Sequence, residues 1–286
     1  MNKKNLAIID SDSLCYMGAK EDTLQQVIEK VDTKIQEILY ETKADYYVLL
    51  VSKGKYFRHD LSVDKQSKKA SYKSNRVYGI QPWVKTVKEY LIAKYDAVWY
   101  PQLEADDITA WLMHQELYLY PDNTISSCKI SNLDLKINKI LVAKDKDLLY
   151  SIQGKHLNFS KKLDKNNWGM EWIKTSLDDS LKFKANQLLI GDASDGIEAL
   201  KGVGPKKAEK LLANWREGPI ESYILGIYIE YYKGNTSKAI YEFQKNYRLL
   251  HMLTTDEDYI REVGYYPSLP EFQKVIKEVK PETIDF

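Results

Sequence analysis

Three short apolar runs in this chain lead into carboxylates, and that arrangement restricts the fold more than any other feature. Leu6-Ala7-Ile8-Ile9 ends in Asp10, Ala97 to Tyr100 precedes Glu104, Asp106 and Asp107, and Ile140-Leu141-Val142-Ala143 precedes Asp145 and Asp147. Runs of this length suit buried strands, and Tyr46 to Val51 reads as another. Helical patterns separate them: Thr23 to Tyr40, a helix opening at Pro82 with Trp83, Val87, Tyr90 and Leu91 on one face, and Asp106 to about Tyr118. A polar excursion through Asn123 and Asn132 follows the last of these. The alternation predicts an α/β fold, a mostly parallel central sheet with helices on both faces. In such open sheets ligands gather beyond the carboxyl ends of the strands, which is where these acids fall.

From about Leu181 the strand signals fade and the chain becomes helical and rich in tyrosine. Two parts are therefore expected, residues 1–180 as the α/β part and 181–286 as a helical part packed on it. Net charge is +1, so no global field draws a polyanion. The charge is uneven, however. Lys53, Lys55, Arg58, Lys65, Lys68, Lys69, Lys73 and Arg76 face only Asp60 and Asp64 in one stretch of little periodicity, which reads as a basic loop.

Cys15 and Cys128 lie far apart without a CxxC spacing, and His59, His114, His156 and His251 show no ligand spacing. Both facts argue against a zinc site or a disulfide framework and for reduced thiols in a cytoplasm. No uncharged apolar stretch reaches membrane-spanning length, and the run before Asp10 is too short for a signal peptide, so a cytoplasmic protein with no membrane partner is expected.

The carboxylates are the chemically informative residues. Glu104, Asp106 and Asp107 crowd the mouth of one helix. A helix N-terminus favours acids by about 0.3–1 kcal/mol, but capping needs only one or two, so a bound cation explains three better. Asp145 and Asp147 are two apart, which in extended chain puts them side by side on one face. A solvated helix cap is the plain alternative for either group. A third cluster, Gly191-Asp192-Ala193-Ser194-Asp195-Gly196, precedes Leu200-Lys201-Gly202-Val203-Gly204-Pro205-Lys206-Lys207-Ala208. Gly202 and Gly204 leave backbone N–H groups bare at a helix start, Pro205 suits its first turn, and Lys206 and Lys207 add charge where a phosphate would sit. The donor set Asp10, Glu104, Asp106, Asp107, Asp145, Asp147, Asp192 and Asp195 contains only oxygen ligands. It points to Mg²⁺, with Mn²⁺ as the alternative, and two such ions can hydrolyse a phosphodiester.

In order along the chain, Ile8-Ile9-Asp10, Lys55-Tyr56-Phe57-Arg58, Tyr72-Lys73-Ser74-Asn75-Arg76, Glu104-Ala105-Asp106-Asp107, Asp145-Lys146-Asp147 and Gly191 through Ala208 resemble the flap endonuclease and 5′-to-3′ exonuclease family, including the nuclease domain of bacterial DNA polymerase I. The resemblance implies a PIN-like sheet and a monomeric 5′ nuclease. It would act on DNA with 5′ ends, nicks or flaps, or on primer RNA on DNA. It implies a first metal at Asp10, Glu104, Asp106, Asp107, Asp145 and Asp147, and a second held in part by Asp192 and Asp195. Lys73 and Arg76 would contact the scissile phosphate, and Tyr72 would stack on an unpaired base. The segment with Gly202, Gly204, Lys206 and Lys207 would be a helix-three-turn-helix gripping duplex backbone, with K⁺ on its carbonyls.

Two departures qualify the expected activity. Ser52 stands in the neighbourhood where the family has an aspartate, and only Val77 to Gln81 separates the basic motif from the helix near Pro82. A reduced helical arch follows, with better action on nicks than on long flaps. The alternatives are a structure-specific DNA-binding protein of the same fold with impaired hydrolysis, or a PIN-type ribonuclease. The duplex-gripping segment argues against the ribonuclease.

Overall fold

The computed structural model describes residues 3–18, 22–62, 72–73, 82–163, 168–268 and 272–280. Arg76, Ser74 and Asn75 of the expected phosphate-contacting motif lie outside the described residues. The chain forms β1 (Asn5–Asp10), α1 (Leu24–Thr42), β2 (Tyr46–Leu50), α2 (Phe57–Leu61), α3 (Val84–Tyr95) and α4 (Ala105–His114). It continues as β3 (Tyr118–Leu119), β4 (Ile125–Ser126), β5 (Leu135–Lys136), β6 (Asn138–Ala143), α5 (Lys146–Ser151), β7 (Gly154–Lys162) and β8 (Trp168–Thr175). Then come α6 (Leu177–Ile190), β9 (Gly191–Asp192), β10 (Ile197–Glu198), α7 (Pro205–Leu212), α8 (Ile220–Tyr231), α9 (Thr236–Leu250), α10 (Asp256–Val263) and β11 (Lys277–Glu278). Two compact units result. One combines Met1–Lys55, Gly79–Thr175 and Leu253–Phe286, and the other combines Tyr56–Tyr78 with Ser176–Met252. The chain thus changes unit after Lys55, Tyr78, Thr175 and Met252.

The first unit is built on a six-stranded sheet in the order β11-β2-β1-β6-β7-β8. β2, β1, β6 and β7 are mutually parallel, and the two edge strands β11 and β8 are antiparallel. β1 pairs from Leu6↔Tyr46 on one side and from Asn5↔Asn138 on the other. A strand covered on both faces needs apolar residues at successive positions, which accounts for the unbroken Leu6 to Ile9 run. Val27, Val31, Ile35, Ile38 and Leu39 recur at helical spacing along α1 and pack with Ala7, Ile9 and Leu49. Each such fully buried side chain contributes about 1.5–3 kcal/mol. Thr23 and Gln26 cap α1 reciprocally, and Lys43 ends it in a left-handed turn. α4 lies against β1 as well. The chain leaves β1 for β2 on one side and later lays β6 on the other, so the switch point falls at the carboxyl end of β1, where Asp10 sits.

Several expectations about local structure do not hold. Ala97 to Tyr100 forms no strand; it makes one bridge, Leu50↔Val98, before Pro101, which lacks an N–H to extend the ladder. The polar excursion holds a small antiparallel sheet, β4-β3-β5. The β7–β8 hairpin carries mixed polar and aromatic residues on a half-exposed edge, so its pattern is faint in the sequence. The basic stretch is not wholly loop, since α2 occupies Phe57–Leu61. Cys15 is buried and Cys128 exposed, both free.

In the second unit α6 to α9 surround a core that includes Leu188, Leu189, Ala208, Ile224 and Tyr228. The fully buried Tyr228 hydroxyl donates to the Leu188 carbonyl at 2.6 Å and accepts from Asn246 at 3.1 Å. Arg58, buried on α2, donates to the carbonyls of Leu249 at 3.1 Å and His251 at 2.7 Å. A guanidinium there satisfies carbonyls that the end of α9 leaves open. No helix among the described residues is long and apolar enough to cross a membrane.

Candidate metal centre

In the first unit Asp10 lies at the carboxyl end of β1 and Asp145 just past the end of β6, close enough for its charge to act on Asp10. Asp10 closes β1 and is 2% exposed. The Asp12 N–H donates to Asp10 Oδ1 at 3.3 Å. Burial first, then the neighbouring Asp12 and Asp145 carboxylates, push the Asp10 pKa up from 3.8 to about 8. A carboxyl so placed is one that a cation would return to its charged form.

The other acids are partly engaged by the chain itself. Asp145 is the N-cap of α5 and accepts from the Asp147 N–H at 2.8 Å. This corrects the extended side-by-side reading: the backbone turns helical at Lys146, so Asp145 folds back over the first turn and Asp147 belongs to that turn. Glu104 caps α4 in a reciprocal box with Asp107. Asp107 is fully buried, accepting from the Glu104 N–H at 3.4 Å and the Leu253 N–H at 3.1 Å. The capping alternative therefore accounts for much of Asp107, whereas Asp106 is half-buried in the first turn. Among the described residues no three His, Cys, Asp or Glu side chains close into a group that could hold a metal ion. The chemistry of the donors still fits a hard cation: they are carboxylates only, Asp10 and Glu104 buried and Asp106, Asp145 and Asp147 half-buried, and Asp12 and Asp145 repel the charge on Asp10.

Ser52 does not stand idle in the place of an acid. Its Oγ accepts from the Ala105 N–H at 2.8 Å, which satisfies a first-turn donor of α4. Its own N–H donates to Asp12 Oδ1 at 3.0 Å. Asp12, one of the nearby acids that could compensate for the missing aspartate, is bound to Lys88 at 2.7 Å. Lys88 was not among the residues expected in the site, and nothing in the helical pattern of α3 singles it out.

In the second unit Asp192 closes β9, buried, accepting from the Ser194 N–H at 2.7 Å and hydroxyl at 2.6 Å. Lys73 lies at 3.9 Å from Asp195, and its N–H donates to the Asp195 carbonyl at 2.9 Å. Sequence reasoning gave these two residues separate roles, and the fold pairs them. Lys73 has φ +59, an uncommon value for a side-chain-bearing residue. Tyr72 is 6% exposed and packs with Ile197 and Leu249. Its ring serves the core, which corrects the expectation that it stacks on a base. Gly202 has φ +80, and Gly204 caps α7 without a side-chain hydrogen bond, with Pro205 in the first turn. Lys201, Lys206 and Lys207 are exposed around this turn.

No family model matches the chain, and no curated protein does. Solved structures do. Zinc-bound T5 5′-exonuclease superposes with a TM-score of 0.62 at 19% identity, over 95% of this chain and 97% of that one. A bacteriophage T5 flap endonuclease variant, in a pseudo-enzyme-product complex with DNA and metal ions, gives 0.59 at 18%, with the same coverage. Identities this low speak for the fold alone, and they do so over nearly the whole chain.

Proposed function

We propose that this chain, which has the fold of flap endonucleases and 5′-exonucleases, is a divalent-metal-dependent 5′ nuclease that hydrolyses phosphodiesters near 5′ ends. The observation that carries this reading is the buried Asp10, raised by burial and by Asp12 and Asp145, at the switch point of the sheet. Asp10, Glu104, Asp106, Asp145 and Asp147 would hold Mg²⁺, or Mn²⁺, with Asp107 fixing α4 behind them. In the second unit Asp192 and Asp195 are the candidates for a further ion. When bound, a divalent ion supplies Lewis acidity toward water and phosphate oxygens.

The rest is the work of side chains. Lys73 and Arg76 would neutralise charge growing on the phosphate in the transition state. The turn with Gly202 and Gly204, with Lys206 and Lys207 beside it, would hold duplex backbone as a helix-three-turn-helix, where K⁺ on the carbonyls is in keeping. The substrate would be DNA with a 5′ end, nick or flap, or primer RNA on DNA, bound by a monomer. The five residues Val77 to Gln81 leave little chain for an arch, which favours nicks over long flaps.

A second reading has one observation behind it. Asp12 is paired with Lys88 and Ser52 is spent on Ala105, which suits a protein that binds DNA with impaired hydrolysis. One experiment separates the two: matched nicked and flapped duplexes, labelled at either the 5′ or the 3′ end of the downstream strand, are incubated with Mg²⁺. The nuclease reading expects short 5′-labelled products first and faster cutting of the nick. Retention of both substrates without any cleavage would establish the second reading.

A further inference from the structure

Lys88 reaches from α3 into the carboxylate region of the first unit. Its Nζ donates to Asp12 Oδ1 at 2.7 Å and to the Ser52 carbonyl at 2.7 Å. The Ser52 N–H donates to the same Asp12 oxygen at 3.0 Å, so this carboxylate oxygen is already bound from two sides. The Lys88 and Asp12 side chains are only 19% and 29% exposed. Burial works against the charge on Lys88, but the Asp12 carboxylate and its hydrogen bond outweigh it and keep the pKa above its ordinary value. A fixed ammonium here sets a positive charge against the Asp12 carboxylate beside Asp10, an office that a metal ion would otherwise fill.

We propose that Lys88 is a tethered cation that closes Asp12 and Ser52 to metal, so that a divalent ion in this unit is taken up on the Asp10 and Asp145 side. Lys88 is thus a positioning residue. Its positive charge repels a metal from the Asp12 oxygen, and its hydrogen bonds hold Ser52 where the Oγ meets α4. The choice of divalent metal rests on the nuclease reading above; the seating of Lys88 does not.

The test is Mn²⁺ binding to the full chain by titration calorimetry, for wild type, Lys88→Met, Lys88→Arg and the double variant Asp12→Asn with Lys88→Met. Loss of the ammonium should tighten Mn²⁺ binding roughly tenfold or more, because a nearby like charge is removed and a carboxylate freed. Lys88→Arg should bind as wild type does, and the double variant should return toward wild type, since no carboxylate is released. Unchanged affinity and stoichiometry in Lys88→Met overturns the proposal. Should Lys88→Met be too unstable for calorimetry, its melting midpoint must rise more with Mn²⁺ than that of wild type; an equal or smaller rise overturns the proposal too. If wild type binds no Mn²⁺ while Lys88→Met does, the lysine assignment stands and the metal-dependent reading falls. Binding by wild type with no gain in Lys88→Met gives the reverse.

Discussion

Asp10 ties the stability of the first unit to the site it carries. In an unfolded chain it releases its proton near 3.8, and in the fold only near about 8. Between those values the folded state holds the extra proton, so stability must fall as pH rises. Without divalent metal, the melting midpoint of wild type should therefore be lower at pH 8 than at pH 6, and the drop should shrink in Asp10→Asn. An Asp10→Asn variant with the wild-type slope would show that Asp10 is not the strained group. Adding Mg²⁺ should lift the wild-type midpoint more at pH 8 than at pH 6, because the ion competes with that proton.

Among the elements, α4 shows how the site is braced. Ser52 and Glu104 satisfy its first turn, while Lys139 from β6 donates to the carbonyls of Leu112, Met113 and Gln115 at its other end. The β9–β10 pair has a different requirement. Gly191 has φ +81, and a Cβ there would come within 2.2 Å of the Ile197 carbonyl oxygen. Gly191→Ala should destabilise the second unit by about 1–3 kcal/mol or more, read as a lower urea midpoint; a neutral effect would contradict the positive φ and the close approach of the Ile197 carbonyl.

Those elements also show what could be read in advance. β1, α1, β2, β6 and the start of α7 were legible, because buried strands and capped amphipathic helices leave periodic or punctuated patterns. The β7–β8 hairpin and the small sheet of β3, β4 and β5 were not, since short or half-exposed strands carry little hydrophobic pattern. Of the candidate site, Asp10 and Asp145 do stand at the ends of β1 and β6, whereas Glu104, Asp106 and Asp107 follow no strand. The burial of Tyr72, the pairing of Lys73 with Asp195 and the seat of Lys88 depend on tertiary neighbours that no local spacing encodes.

At the scale of the whole molecule, each unit brings a separate capacity to the proposed reaction: the buried Asp10 at a sheet switch point in the first, and in the second a glycine turn with exposed lysines, together with Asp192 and Asp195. The net charge of +1 gives no general attraction for DNA, so binding should depend on that local basic turn and fall steeply with salt. The most direct test of the central claim is cleavage of a 5′-labelled nicked duplex in Mg²⁺ and in EDTA, by wild type and by Asp145→Asn and Asp106→Asn, with duplex affinity measured in EDTA for all three. The account predicts Mg²⁺-dependent cutting by wild type, a loss of about a hundredfold or more in each variant, and similar affinities throughout. Wild type and variants that are equally inert, or equally active in EDTA, would contradict it.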